Sequence, residues 1–407
     1  MRVLLVTHYY PPESGAPQAR LSEMAARWVQ DGLDVTVLTG MPNHPTGVVA
    51  DGYQGAVTRR EKRDGVRVLR TWLFATPNQG LVKKTLGHLS FMVSSVVLGG
   101  PRVGRTDVVV VSSPTFFSIG SAWLLARMRR ARLVVEVRDL WPAIFVELGV
   151  LTNRRVIAVL ERLELAAYRA ADAVVVVTDG FRDDLVRRGV PATKVTTIRN
   201  GVDLERFWPS TGPTAADRSW LGVPEGDLLV LYIGAHGISH GLASVVEAAR
   251  LVADERIHVS LVGEGADKEA VRARVEELGV RNVSMLPGVP RDRVPALVAA
   301  ADVCLVPLRD VPLFATFIPS KMFEYLGAGK AVVGAVTGEP ARILEEAGAV
   351  VVRPEDPGAL ARALRALAAD PDRCVRMGAA GRAYVEQHFD RRALADAYAS
   401  LLRGLVE

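Results

Sequence analysis

The run Phe317-Ile318-Pro319-Ser320-Lys321-Met322-Phe323-Glu324-Tyr325-Leu326-Gly327-Ala328-Gly329-Lys330 concentrates more chemistry than any other in the chain. A serine after a proline is a helix start, and Ser320 is the expected N-cap. Lys321 then falls in the first helical turn, where the helix dipole disfavours a cation. Its placement makes sense if an anion such as a diphosphate sits beside it. Glu324 follows Ser320 by four residues, about one turn of helix. A carboxylate accepts from two hydroxyls at once, so Glu324 suits the 2′- and 3′-hydroxyls of a ribose. The competing reading is a solvated face of an amphipathic helix.

Four further runs carry groups of this kind. Val135-Glu136-Val137-Arg138-Asp139-Leu140-Trp141-Pro142 ends an apolar strand in an Arg-Asp pair. Charged side chains at the carboxyl end of a parallel strand point at ligand. Asp139 would then grip a substrate hydroxyl, with Arg138 near a phosphate or the reacting sugar; a buried structural ion pair is the alternative. Tyr232-Ile233-Gly234-Ala235-His236-Gly237-Ile238-Ser239-His240-Gly241 places glycines before a helix, as a phosphate-adjacent loop does. His236 and His240 lack a third ligand, so no metal site is expected. Val262-Gly263-Glu264-Gly265 reads equally well as a ligand loop or a tight turn. Pro11-Pro12-Glu13-Ser14-Gly15-Ala16-Pro17 has small residues that admit a ligand to a helix N-terminus, or is an ordinary loop. None of these is a G-x-G-x-x-G, so a dinucleotide cofactor is not expected.

These runs share a position: each follows a short Val/Ile/Leu stretch and precedes a helical pattern. Val3–Val6, Val35–Leu38, Val66–Thr71, Val108–Val111, Leu133–Val137 and Val174–Val177 read as buried parallel strands. The alternation restarts with Leu228–Ile233, His258–Val262, Val283–Leu286, Val303–Val306, Ala331–Val333 and Ala349–Val352. The class is α/β, with two Rossmann-like parallel sheets facing across a cleft. The domains are expected at residues 1–203 and 204–385, with a last helix in 386–407 crossing back to the first. Length agrees, since 407 residues suffice for two cores.

Composition excludes several classes. Two cysteines, Cys304 and Cys374, make neither a disulfide framework nor a four-ligand zinc site. Met1-Arg2 leads straight into an apolar strand, so a cytoplasmic protein without a secretory leader is expected. No apolar run approaches the ~20 residues that span a bilayer. The first 200 residues hold 27 Lys and Arg against 17 Asp and Glu, a surplus of +10; the remainder stands at −5. The basic half suits an anionic partner. Without an aromatic-interleaved basic stripe, nucleic acid is not expected. Gly80–Val93, an apolar stretch carrying Lys83 and Lys84, suits an anionic membrane surface, or equally a core helix with a solvated basic end.

Taken in order, the segments YYPPESGAPQAR, VLTGMPNHPTG, VEVRDLWP, RNGVDLERFWP, LVGEGADK, ADVCLVPL and FIPSKMFEYLGAGKAVVG resemble the family 4 glycosyltransferases of GT-B fold. The branch they most resemble is that of the WbuB-type N-acetylfucosamine transferases of O-antigen and capsule synthesis. The resemblance implies a retaining, metal-independent hexosyltransferase with no cofactor. A UDP-sugar donor lies on the second domain and a lipid-linked saccharide acceptor on the first. It implies Gly15 near the phosphates, Glu324 on the ribose and Lys321 with Ser320 on the diphosphate. Gly234, His236, His240 and Gly263 complete the donor loops, and Val289 meets the base through its backbone. Glu13, Asn43, His44 and Trp141 are the implied acceptor contacts.

The chain departs from the family pattern at three places. Thr316, taken with Arg138 and Asp139 as the expected catalytic residues, stands where the first glutamate of an E-x7-E pair is usual, Arg138 stands for a common histidine, and the Ala235–His240 stretch replaces the usual Arg and Lys. His236, His240 and Lys321 are then the cations on offer for the diphosphate. Three other readings remain open: a soluble acceptor, a UDP-GlcNAc 2-epimerase-like isomerase, and a non-catalytic nucleotide-binding assembly partner.

Overall fold

Val- and Leu-rich runs without polar alternation become strands buried on both faces, because a parallel sheet is covered by the helices that connect its strands. The computed structural model describes residues 1–407 except 14, 45, 78–80, 114–115, 148 and 210–214. The chain divides into a first unit, Met1–Arg199 with Arg392–Glu407, and a second, Asn200–Arg391. The first break falls four residues before the expected 203, and the chain returns to the first unit at Arg392 rather than at 386. The reason for the later return is an unanticipated helix, Pro371–His388, which holds residues 386–388 in the second unit.

The first unit is one eight-stranded sheet. Its strands are β1 (Arg2–Val6), β2 (Asp34–Gly40), β3 (Thr58–Arg63), β4 (Val66–Thr71), β5 (Val108–Ser112), β6 (Arg132–Val137), β7 (Ala173–Val176) and β8 (Val195–Thr197). The order is β3-β4-β2-β1-β5-β6-β7-β8. All pairings are parallel except β3 with β4. Strand order reverses on either side of β1, which places a ligand crevice at the carboxyl ends of β1 and β5. The C-terminal helix Arg391–Gly404 belongs to this core: Ala395, Tyr398, Ala399 and Leu402 pack with Trp28 and the strand valines. Trp28 Nε1 donates to the Ala395 carbonyl at 3.0 Å, fixing the helix in register.

The second unit has six strands, all parallel: β9 (Leu228–Ile233), β10 (Ile257–Val262), β11 (Val283–Leu286), β12 (Val303–Pro307), β13 (Ala331–Ala335) and β14 (Val350–Val352). Their order is β11-β10-β9-β12-β13-β14, so here the reversal lies at β9. Valines and leucines of these strands, each worth ~1.5–3 kcal/mol when fully buried, face Leu242, Val245, Leu360 and Leu364 of the covering helices. Each expected parallel strand is present. Among the described residues no helix is long and apolar enough to cross a membrane.

Candidate functional site

In the second unit, two loops meet backbone to backbone at the carboxyl ends of β9 and β10. The Gly234 N–H donates to the Val262 carbonyl at 2.9 Å, and the His236 N–H to the Glu264 carbonyl at 2.9 Å. A Cβ on Gly263 would lie 1.8 Å from the Gly234 oxygen, so only glycine allows this approach. That approach requires a glycine at position 263 and sets the loop carrying His236.

The helix Lys321–Gly327 is locked against β9 by Tyr325. Its hydroxyl accepts from the Ile233 N–H and donates to the Ile233 carbonyl, both at 3.1 Å. That bond holds Lys321 and Glu324 at the same strand end as the glycine loop. Ser320 occupies the N-cap position, but its backbone is already helical and its side chain makes no capping bond, contrary to expectation. The preceding proline-led turn enters the helix directly.

Lys321 Nζ is buried without a hydrogen-bond partner and lies 3.6 Å from the Tyr232 ring centroid. Burial pushes its ammonium down to about 7, and Glu324 opposes that shift. The rings of His236 and His240 each lie 5.8 Å from Tyr232. His236 is wholly buried and neither of its ring nitrogens has a partner. Burial, then Lys268 and Lys321, hold it down at about 4. Burial and Lys321 hold His240 at about 3, with Nδ1 3.4 Å from the Pro307 carbonyl. Both imidazoles are therefore neutral at neutral pH. The expectation that they supply positive charge for a diphosphate is corrected: they offer neutral N–H donors, and Lys321 offers the charge.

Glu324 has neighbours the sequence reading did not single out. Burial raises its carboxyl, against the pull of Arg291, Lys321 and Arg206. Arg206 stands in the RNGVDLERFWP segment and Arg291 follows β11; charge alone did not distinguish either from other surface arginines. Val289 is half-buried on the loop after β11. Glu264 ties that loop to β10 by accepting from the Gly288 N–H at 3.2 Å and from Lys268 Nζ at 2.8 Å. Thr316 ends a short turn, Pro312–Thr316, and its hydroxyl donates to the Leu313 carbonyl at 2.8 Å. It holds its own turn together and has no acid or base to offer.

In the first unit, Glu13 is only 6% exposed and accepts from the N–H groups of Tyr10 (3.0 Å), Asn43 (2.8 Å) and His44 (2.9 Å). The expected acceptor contact is thereby corrected: the carboxylate is spent tying the loop after β1 to the loop after β2. Asn43 Nδ2 donates to the Met41 carbonyl at 2.9 Å, and the exposed His44 ring lies 5.2 Å from Tyr9. Gly15 precedes the helix Ala16–Gln30, and a Cβ there would lie 2.4 Å from Gln18 Oε1.

At the end of β6, the structural ion pair is not Arg138 with Asp139. It is Arg20 with Glu136, at 2.7 Å, with side chains 2% and 0% exposed. Arg20 also donates to the carbonyls of Arg199 (2.7 Å) and Ile198 (3.0 Å). Arg138 is buried beside them with Nε and Nη1 unpartnered, and burial lowers its pKa. Burial raises the Asp139 carboxyl, opposed by Arg138. Trp141 stacks on Phe116 at 4.6 Å and 11°, with the edges of Phe117 and Phe145 alongside. Among the described residues, no three His, Cys, Asp or Glu side chains gather as a metal site.

Two families match the chain: the glycosyl transferase 4-like domain over residues 15–201, and glycosyl transferases group 1 over 214–384. A D-inositol 3-phosphate glycosyltransferase of Streptomyces scabiei is 30% identical over 397 residues, 92% of this chain and 83% of that protein. An Escherichia coli protein assigned to colanic acid biosynthesis as the glycosyl transferase WcaI is 27% identical over 416 residues, 99% of this chain and all of that one. A GDP-mannose-dependent phosphatidylinositol monomannoside mannosyltransferase of Mycobacterium tuberculosis is 28% identical over 421 residues, 99% and 98% of the two chains. The structure of Anabaena Alr3699/HepE in complex with UDP and glucose superimposes with a TM-score of 0.73 at 18% identity, over 99% and 100%. With two parallel-sheet units and both domain families in order, the chain belongs to the family 4 glycosyltransferases of GT-B fold.

Proposed function

We propose that this glycosyltransferase moves a sugar from a UDP-linked donor to a lipid-linked saccharide in cell-surface polysaccharide synthesis, with retention and without a metal. The observation that carries the reading is the strand-end cluster of Lys321, His236 and Glu324. It joins an unpaired buried ammonium and a neutral imidazole, both against the Tyr232 ring, to a half-buried carboxylate on the same helix as the ammonium. An ammonium and N–H donors suit a diphosphate. A carboxylate suits a ribose diol, which favours UDP or GDP over dTDP. Val289 is assigned to the base, Ser320 to the diphosphate and Gly15 to the phosphates. HepE, which shares the fold, binds UDP, and WcaI supports the polysaccharide context. The N-acetylated hexose or deoxyhexose rests on the resemblance to the fucosamine-transferase branch.

In the proposed step the acceptor hydroxyl attacks the anomeric carbon. The new C–O bond forms as the bond to the diphosphate breaks, and the hydroxyl proton passes to the departing diphosphate. The protein positions the reactants and stabilises the diphosphate charge. Asp139 and Arg138 orient the acceptor, and Trp141 offers it an aromatic face. Thr316 is given no catalytic part.

Calorimetry with UDP, GDP and dTDP, first in EDTA and then with magnesium, tests the donor. Metal-independent binding of UDP is expected, weakened ~1.5–3 kcal/mol by Glu324→Gln. A preference for GDP would favour the alternative that the mannosyltransferase relative raises. Unchanged affinity in the variant would remove Glu324 from the ribose, and binding of no nucleotide would move the reading to a non-catalytic partner.

A further inference from the structure

Lys321 meets an aromatic ring where a buried ammonium ordinarily meets a carboxylate. Its Nζ lies 3.6 Å from the Tyr232 ring centre and has no hydrogen-bond partner. Tyr232 is the last residue but one of β9 and is wholly buried, so the strand fixes its ring. Backbone forms another wall of the slot. A Cβ on Gly234 would lie 2.8 Å from Nζ and 3.1 Å from Cε, and the missing side chain is what admits the ammonium. The Tyr232 hydroxyl makes a separate contact: it donates to the Ala235 carbonyl at 2.5 Å, in the loop that goes on to His236. One side chain therefore touches the ammonium with its face and the glycine loop with its hydroxyl. Residue type does not mark it, since an aromatic residue in a strand is ordinary core.

A ring suits this place better than a carboxylate. A carboxylate against Nζ would cancel the charge, and an incoming anion would first have to displace it. The negative face of an aromatic ring attracts a cation, takes no proton from it and leaves its charge available. Glu324 acts on Lys321 from the same helix but makes no bond to Nζ, and it is itself acted on by Arg291 and Arg206. The other titratable groups around Nζ are the imidazoles of His236 and His240, with Lys268 acting on His236. Both imidazoles are neutral at neutral pH, so on the β9 side the ring is what favours the charged form against burial. We propose that Tyr232 is a positioning residue for the donor: its ring face holds the Lys321 ammonium ready for the diphosphate, and its hydroxyl sets the loop carrying His236. The inference rests on the diphosphate reading above.

The chain has seven lysines, few enough to follow one by one in an NMR titration of the full chain labelled at the lysine ε-carbons, with Lys321→Met identifying the Lys321 signal. Two replacements of Tyr232 keep its volume, so the fold is spared. Tyr232→Phe keeps the negative ring face and loses the hydroxyl; pentafluorophenylalanine at the same position keeps the shape and reverses the charge of the face. Lys321 should titrate near pH 7 in the wild type, within a few tenths of that in Tyr232→Phe, and about one unit lower in the fluorinated protein. Calorimetry with UDP at pH 7 then separates the two contacts. Tyr232→Phe should bind several-fold more weakly than the wild type, through the lost tie to Ala235. The fluorinated protein should bind about fivefold more weakly still, because more of its Lys321 must take up a proton. An equal or higher Lys321 titration in the fluorinated protein overturns the proposal, since the ring would then only fill space. Undiminished UDP binding by Tyr232→Phe overturns the part given to the hydroxyl. Failure of the wild type to bind UDP, with the titrations as expected, would instead strike the diphosphate reading and leave the hold of the ring on Lys321 standing.

Discussion

Lys321 is the charge on which the diphosphate assignment turns, and burial makes that charge conditional. Its ammonium is pushed down from 10.5 to about 7. The two imidazoles and the phenol around it do not titrate between pH 7 and 9. His236 and His240 are neutral from about 4 and about 3 upward, and the buried Tyr232 hydroxyl is raised well above its ordinary range. Burial raises the Glu324 carboxyl on the same helix, opposed by Arg291, Lys321 and Arg206. A diphosphate against Nζ restores the ordinary lysine value, so binding above pH 7 takes up a proton. From about pH 7 upward the affinity therefore falls as the pH rises. Recharging Lys321 costs ~0.4 kcal/mol at pH 7 and ~2.7 kcal/mol at pH 9, at about 1.36 kcal/mol per unit. UDP should bind roughly fiftyfold more weakly at pH 9 than at pH 7. The terminal phosphate, with a second pKa of about 6, is already roughly nine-tenths ionised at the lower end of that interval. Calorimetry at three pH values, in buffers of different ionisation enthalpy, counts the proton directly. Lys321→Arg, charged throughout, should flatten the profile, and Lys321→Met should flatten it at low affinity. A flat wild-type profile, or a slope that survives in Lys321→Met, refutes the reasoning.

Glu136→Ala leaves the Arg20 guanidinium buried and unpaired; a loss of about 3–5 kcal/mol in denaturant unfolding is expected. Gly263→Ala drives a Cβ into the Gly234 oxygen, and a destabilisation of about 2 kcal/mol or more should appear as a lowered Tm. Tyr325→Phe frees the Ile233 N–H and carbonyl, costing about 1–3 kcal/mol; UDP affinity should fall with it, because the helix carrying Lys321 and Glu324 loses its lock. An unchanged Tm in that variant would show the lock to be idle.

The parallel strands were legible because burial on both faces leaves an unmistakable Val/Leu/Ile run. β3 was not, since Thr58–Arg63 is an edge strand with a solvated face and reads as TRREKR. The helix Pro371–His388 was missed because Gly378 and Gly381 interrupt its pattern. A Cβ on Gly378 would lie 2.0 Å from the Gly329 oxygen, so tertiary approach, not helix propensity, set that residue. Residue types singled out Lys321, His236 and Glu324 but could not assign protonation. His236 and His240 looked like cations by composition and are neutral by burial, which sequence does not display. Glu13 looked free because its partners are backbone N–H groups from a loop thirty residues away, and backbone donors carry no signature.

The two units differ in what their polar atoms are spent on, and the difference separates support from chemistry. In the first unit, Glu13 satisfies three backbone donors and Arg20 joins Glu136 to two carbonyls. Apart from Glu136 Oε2, which has no protein partner, these groups are satisfied, and their work is to hold loops and a strand end in place. Beside them, Arg138 keeps two guanidinium nitrogens without a protein partner. In the second unit, Tyr325 and Glu264 are saturated, while both nitrogens of His236 and the Nζ of Lys321 are not. A buried donor without a partner costs about 1–3 kcal/mol, more when charged. Three such side chains at strand carboxyl ends are a standing cost that the fold does not need for its own stability. That cost is what a preorganised site requires: donors already desolvated and aimed bind a phosphate or sugar oxygen without first reorganising. On this argument Arg138, His236 and Lys321 are the groups we propose to act on ligand, whereas Glu13, Arg20, Glu136, Glu264 and Tyr325 hold the surrounding loops and strand ends. The assignment has a consequence for stability measurements. Lys321→Met removes a buried charge, so it should raise the Tm below pH 7, where the folded ammonium is still protonated at a desolvation cost, while abolishing the donor's hold. A variant at once more stable and unable to bind nucleotide would distinguish a ligand group from a structural one; a fall in Tm would place Lys321 among the supports.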